Sequence, residues 1–124
     1  MSRALSWLLV LDVVVCFAFT VQLLAFPDSF LKDAFDDAGA ASVSLRDLAR
    51  LLGGLYLSWT LLLVFIATSV AKTRRLAFFL LVSAVAQLPI ALLFESVTPH
   101  FRSINVGALL FWSVSYALVV LTWN

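Results

Sequence analysis

Seven carboxylates, one histidine and one cysteine are the side chains from which a reaction centre or metal site could be built, and their placement bounds what the sequence can do. Asp12 stands inside an apolar run that begins at Ala4. An ionisable group so placed is costly unless it is protonated, hydrogen-bonded or buried in protein. No Lys or Arg shares its depth, so a protonated or hydrogen-bonded Asp12 is expected, with bundle specificity as its role and a proton or ligand site as the alternative. At 1.5 Å per residue Asp12 lies about 12 Å along its segment, Ser83 about 10 Å along its own, and Thr60 and Tyr116 about 15 Å along theirs. A polar layer of Asp12, Thr60, Ser83 and Tyr116 is therefore predicted.

Gln87 and Pro89 share one apolar segment. Proline removes a backbone hydrogen bond and bends a helix, which leaves a carbonyl for a side chain, water or ligand. With Trp59 and Trp112, too deep to be simple belt aromatics, these residues are the candidate contacts for a prenyl chain, sterol or pigment. The competing expectation for all four is packing. Glu95 and His100 flank one turn, but two ligands fall short of the three or four that zinc sites use. Asp33, Asp36 and Asp37 lack the alternating oxygen ligands and terminal Glu of a calcium loop, so a solvated helix face is expected there.

Counting removes several enzyme classes. A lone Cys16 cannot run a dithiol relay and is read as a small core residue. One histidine cannot supply both axial ligands of a bis-histidine haem, nor a di-iron cluster. There is no Gly-rich phosphate loop and no Ser, His and Asp set that His100 could complete. No catalytic, cofactor-binding or metal site is expected, and the chain is expected not to be an enzyme.

The elements that hold these residues follow from composition. Apolar residues make up 64% of the 124 and charged residues 12%, against roughly 45–50% and 25% in soluble domains. Lipid is then the main solvent. The net charge of +1 gives no field to gather nucleic acid, which is excluded as a partner. Crossing about 30 Å of hydrocarbon takes roughly 20 apolar residues, as helix, because only an internally bonded backbone is tolerated in oil. Segments 4–26, 45–71, 76–94 and 101–123 meet that length. The fold class predicted is an all-α integral membrane four-helix bundle in a single domain, 1–124. The first segment is longer than the apolar core of a secretory signal and is read as a retained helix.

Between the first two spans, Phe30, Leu31, Ala34, Phe35 and Ala38 recur at helical spacing opposite Lys32, Asp33, Asp36 and Asp37. This predicts a short interfacial amphipathic helix over 29–38, with Phe30, Leu31 and Phe35 resting on the bilayer surface or on a partner subunit. Gly39 can end it, and Ser44-Leu-Arg-Asp47 has the form of a capping box for the second span. Thr98-Pro99 can cap and open the last span. Gly54 with Ser58, and Ala67 with Ala71, place small residues four apart where helices could approach closely.

Orientation is read from Lys and Arg in short loops. Arg3, Lys72, Arg74 and Arg75 fall on one side, Lys32, Arg46, Arg50 and Arg102 on the other. The compact 72–75 cluster and the amino group favour both termini on the inner side.

Two families of small four-helix membrane proteins share stretches with this chain. Leu48-Ala-Arg-Leu-Leu-Gly-Gly-Leu-Tyr-Leu57, followed by a basic turn and two further spans, resembles a bacterial domain family of unknown function. Ser2-Arg3, Gln22-Leu-Leu-Ala-Phe26 and Trp59-Thr60-Leu61-Leu62, with a looser likeness from Gln87 to Glu95, resemble the ergosterol-biosynthesis scaffold family of the endoplasmic reticulum. The second resemblance implies a non-catalytic tether for membrane enzymes.

The expectation that results is an accessory or scaffold subunit of a larger membrane complex, working through helix and lipid contacts. Its partners would be other membrane subunits and membrane lipids, with structural lipids in place of a cofactor. A lipid, sterol or quinone binder, or a small Asp12-dependent carrier, is the alternative. The host membrane would be organellar, mitochondrial inner or endoplasmic reticulum, or the bacterial inner membrane.

Overall fold

The computed structural model describes residues 2–34, 43–93 and 98–123. Every regular element among them is α-helix: α1 (Ser2–Ala25), α2 (Pro27–Ala34), α3 (Val43–Ser69), α4 (Arg74–Leu92) and α5 (Pro99–Leu121). Four of these, α1, α3, α4 and α5, are long and apolar enough to cross a membrane. The starts of α4 and α5 follow capping chemistry rather than hydropathy. Thr73 Oγ1 accepts from the Leu76 N–H at 3.2 Å and opens α4. Thr98 Oγ1 accepts from the Phe101 N–H at 3.2 Å and opens α5, with Pro99 in the first turn, where its missing N–H costs nothing.

The chain forms two compact units. One comprises Met1–Leu8 and Ala71–Asn124, the other Leu9–Val70.

In the first unit α4 and α5 form an antiparallel hairpin, and theirs is the most extensive helix contact described. Ala77, Ala84 and Ala91 recur every seventh residue on the buried side of α4, with Leu80. The buried side of α5 carries Leu109, Trp112, Ser113, Tyr116, Val119 and Val120, again near a seven-residue repeat. Small side chains on one helix and large ones on the other let backbones approach while the gap stays filled. For helices set in lipid, which is as apolar as leucine, such packing rather than water exclusion would supply the attraction. The open end of the hairpin is tied by Arg74, whose Nε–H donates to the Val120 carbonyl at 3.1 Å. That carbonyl belongs to the last turn of α5, where helix oxygens lack partners and the dipole favours a cation.

In the second unit α1 and α3 run antiparallel, with Thr20 beside Thr60, Phe19 beside Tyr56, and Leu23 and Leu24 beside Gly53. A Cβ on Gly53 would lie 2.8 Å from Leu24 Cδ2, so the close approach occurs at this residue. The expected pair of Gly54 and Ser58 does not serve it: nothing lies within 4 Å of a Cβ built on Gly54, and exposed Ser58 bonds back to the Gly54 carbonyl at 3.2 Å.

Helix α2 follows α1 after a single residue, Phe26, whose carbonyl accepts from the Phe30 N–H at 3.2 Å. It packs on α3. Phe30 (9% exposed), Leu31 (4%) and Ala34 form its buried stripe. Phe30 and Leu31, expected to rest on the bilayer surface or on a partner subunit, are thus largely covered within the chain. Asp28 and Arg46 pair at 3.1 Å across the α2 and α3 contact, both about half exposed, a bond worth about 0–1 kcal/mol. Phe35, Asp36, Asp37, Gly39 and Glu95 lie outside the described residues. Ser44 lies within α3 rather than ahead of it, so the capping box expected at Ser44 does not mark its start.

Candidate functional site

Three polar side chains of α1 fall on one stripe, because Asp12, Cys16 and Thr20 are four residues apart and four residues bring a helix back to nearly the same face. The Cys16 thiol donates to Asp12 Oδ1 at 3.4 Å, the length expected of a weak sulfur donor. The Thr20 hydroxyl donates to the Cys16 carbonyl at 2.8 Å and lies 3.5 Å from the Thr60 hydroxyl on α3. Thr60 in turn donates to the Tyr56 carbonyl at 2.7 Å. Thr20 and Thr60 are almost fully buried, Cys16 is buried and Asp12 half-buried. A polar seam thus runs along α1 and steps to α3 at the threonines.

Each hydroxyl carries one proton. At 2.8 and 2.7 Å the backbone carbonyls hold both, so the contact between Thr20 and Thr60 has no proton of its own. The same discharge onto the carbonyl four residues back recurs at Thr68 with Val64 (2.8 Å), Ser113 with Leu109 (2.7 Å) and Thr122 with Leu118 (2.6 Å). Each such bond settles a hydroxyl in an apolar setting and withdraws it from any hydrated path or ligand.

Of the predicted polar layer, Asp12 and Thr60 belong to the second unit and join the seam through Cys16 and Thr20. Ser83 and Tyr116 belong to the first. Half-buried Ser83 lends its carbonyl to the Gln87 side chain at 3.2 Å. Tyr116 is almost fully buried and stacks on Trp112 with ring centroids 5.9 Å apart, and Trp112 meets Phe111 edge-on at 5.1 Å.

The candidate ligand contacts divide in the same plain way. Gln87 and Pro89 are exposed on α4, with Gln87 folded back on its own helix, whereas Trp112 is 8% exposed and held in an aromatic stack. Trp59 is half-buried. Exposed Gln87 and buried Trp112 therefore do not share one environment. His100 is exposed, and among the described residues no three His, Cys, Asp or Glu gather as metal ligands would.

Sequence reasoning passed over Thr20, Thr73 and Arg74 as individual contributors. Thr20 had a legible signal, since it continues the four-residue step from Asp12 through Cys16. Arg74 had none, because its partner is a backbone carbonyl 46 positions away.

No family model matches this chain, and no curated protein or solved structure matches it.

Proposed function

We propose that this chain is a multi-pass membrane protein without a catalytic centre of its own, serving as an accessory or scaffold subunit of a larger membrane assembly. The observation that carries this reading is the balance between inner and outer apolar surface. Only 22–33% of the apolar window of each long helix is buried within the chain. The outward faces hold large side chains such as Phe17, Phe65, Phe78, Phe79 and Leu121, the last 77% exposed. Water would penalise that surface at about 25 cal/mol for each Å², whereas acyl chains and neighbouring helices accept it. Contact with lipid and protein neighbours is then the main work such a surface can do.

The polar groups point the same way. The hydroxyls of Thr20, Thr60 and Ser113 are bonded to their own helix backbone, and the Asp12 carboxylate accepts from Cys16. A carrier needs polar groups that exchange partners as cargo moves; these are engaged at short range. The resemblance to the ergosterol-biosynthesis scaffold family also favours a tether. With four crossings both termini share one side, taken as the inner side of an organellar or bacterial inner membrane.

Extraction in mild detergent, followed by native electrophoresis and mass spectrometry of the band, tests the proposal. A stable assembly much larger than the 13.7 kDa chain is expected. A clean monomer with full helicity would overturn the subunit reading. Flux in liposomes that falls on Asp12→Asn would overturn it in favour of the carrier.

A further inference from the structure

We propose that the end of the molecule carrying Arg3, Lys72, Arg74 and Arg75 is a docking surface for the phosphodiester headgroups of anionic glycerophospholipids. The inference rests on the membrane reading above, since four crossings place residue 3 and residues 72–75 on the same side by parity.

Charge is distributed unevenly between the two ends. The sequence holds no Asp or Glu before Asp12, none between Asp47 and Glu95, and none after Glu95. The end bearing Arg3 and the 72–75 turn therefore has four cationic side chains and no carboxylate side chain. At the other end cations and carboxylates are interleaved, as in Asp28 with Arg46 at 3.1 Å and Asp47 with Arg50 at 3.9 Å. The first end thus carries an excess of cationic side chains that anionic headgroups complement, whereas at the other end carboxylates outnumber cations.

Local geometry suits a phosphate. Thr73 fixes the start of α4 by accepting from the Leu76 N–H, and the Nε–H of Arg74 is anchored on the Val120 carbonyl. That bond uses one of the five N–H donors of a guanidinium, whose planar fork matches phosphate oxygens. Arg75 is exposed next to it in sequence, and Arg3, also exposed, falls on the same side of the membrane by parity. Tryptophan stands near both chain ends: Trp7, 73% exposed, lies about 6 Å along α1 from Arg3, and Trp123 follows the C-cap residue Thr122 of α5. Indole rings favour the headgroup level. Free inorganic phosphate would lack the bilayer that brings headgroups to these side chains at high local concentration, so lipid is the occupant.

The full chain, reconstituted in bilayers of equal parts phosphatidylcholine and phosphatidylglycerol and released into the gas phase, reports the lipids it keeps. Preferential retention of phosphatidylglycerol is expected, falling roughly fivefold for each charge removed in Arg3→Gln and Arg75→Gln. Arg3→Lys with Arg75→Lys, and Lys32→Gln on α2, should leave the preference unchanged. Equal retention of the two lipids by the unaltered chain, or equal loss in Lys32→Gln, would overturn the proposal. So would loss in the double lysine variant. Release of the chain from native membranes by alkaline carbonate would overturn the membrane reading as well, whereas resistance to carbonate without lipid preference would overturn only the docking surface.

Discussion

The side chain that Gly53 lacks would sit 2.8 Å from Cδ2 and 2.9 Å from Cγ of Leu24, and 3.1 Å from Cβ of Leu23. Its neighbour Gly54 faces open space. Two adjacent glycines of one helix therefore answer to different physics. Gly53→Ala must push Leu24 into another rotamer and crowd the Leu23 stem, and Gly53→Val must part α1 from α3. A loss of about 1–3 kcal/mol is expected for these overpacked variants. Gly54→Ala should instead gain up to about 1 kcal/mol from helix propensity. Thermal unfolding in detergent, followed by circular dichroism, separates them: if the two alanine variants melt alike, the close approach at Gly53 is wrong.

Thr20 and Thr60 face one another at 3.5 Å while both donate to their own helices. A double-mutant cycle with Thr20→Val and Thr60→Val is expected to give a coupling energy below about 0.6 kcal/mol, the usual size for hydrogen bonds between membrane helices. Coupling well above that would mean that one hydroxyl has left its backbone carbonyl for the other.

Arg74 ties α4 to the last turn of α5 through a side-chain atom that lysine does not possess. Arg74→Gln and Arg74→Lys should each cost about 1 kcal/mol, the glutamine because charge is lost at the helix end and the lysine because the Nε–H is lost. Raised proteolytic cleavage after residue 120 in both variants is the expected reading. Full protection in the lysine variant would show that charge alone holds the end.

Thr73 and Thr98 perform the same cap in different settings, one before the basic turn residues Arg74 and Arg75, the other before Pro99. Replacing either by alanine should cost about 1 kcal/mol, and replacement by serine much less. Amide exchange at Leu76 and Phe101, whose N–H groups the caps hold, reports the loss at each site separately. Unchanged exchange at Phe101 in Thr98→Ala would show that Pro99 suffices to start α5.

Boundaries show how far hydropathy reads. The apolar runs 45–71, 76–94 and 101–123 became helices Val43–Ser69, Arg74–Leu92 and Pro99–Leu121, each displaced about two residues towards the amino terminus. Hydropathy marks where charge stops, but a helix starts at its cap and takes the next polar residues into its first turn. Arg74, Arg75 and His100 therefore belong to helices although they interrupt the oil-soluble pattern. The Thr98 cap was readable because proline followed it; the equivalent Thr73 was hidden in a basic run.

Length and apolarity, as properties of the chain alone, determined the number of long helices. Tertiary structure alone decided which faces turn inwards: that Gly53 and not Gly54 meets α1, that Phe30 and Leu31 are covered, and that Gln87 and Trp112 lie in different environments. The physical reason is that oil and protein interior reward the same side chains. A soluble helix announces its inner face by a stripe of apolar residues, whereas here leucine, valine and phenylalanine occupy every face, and small differences in volume and backbone approach select the one that packs.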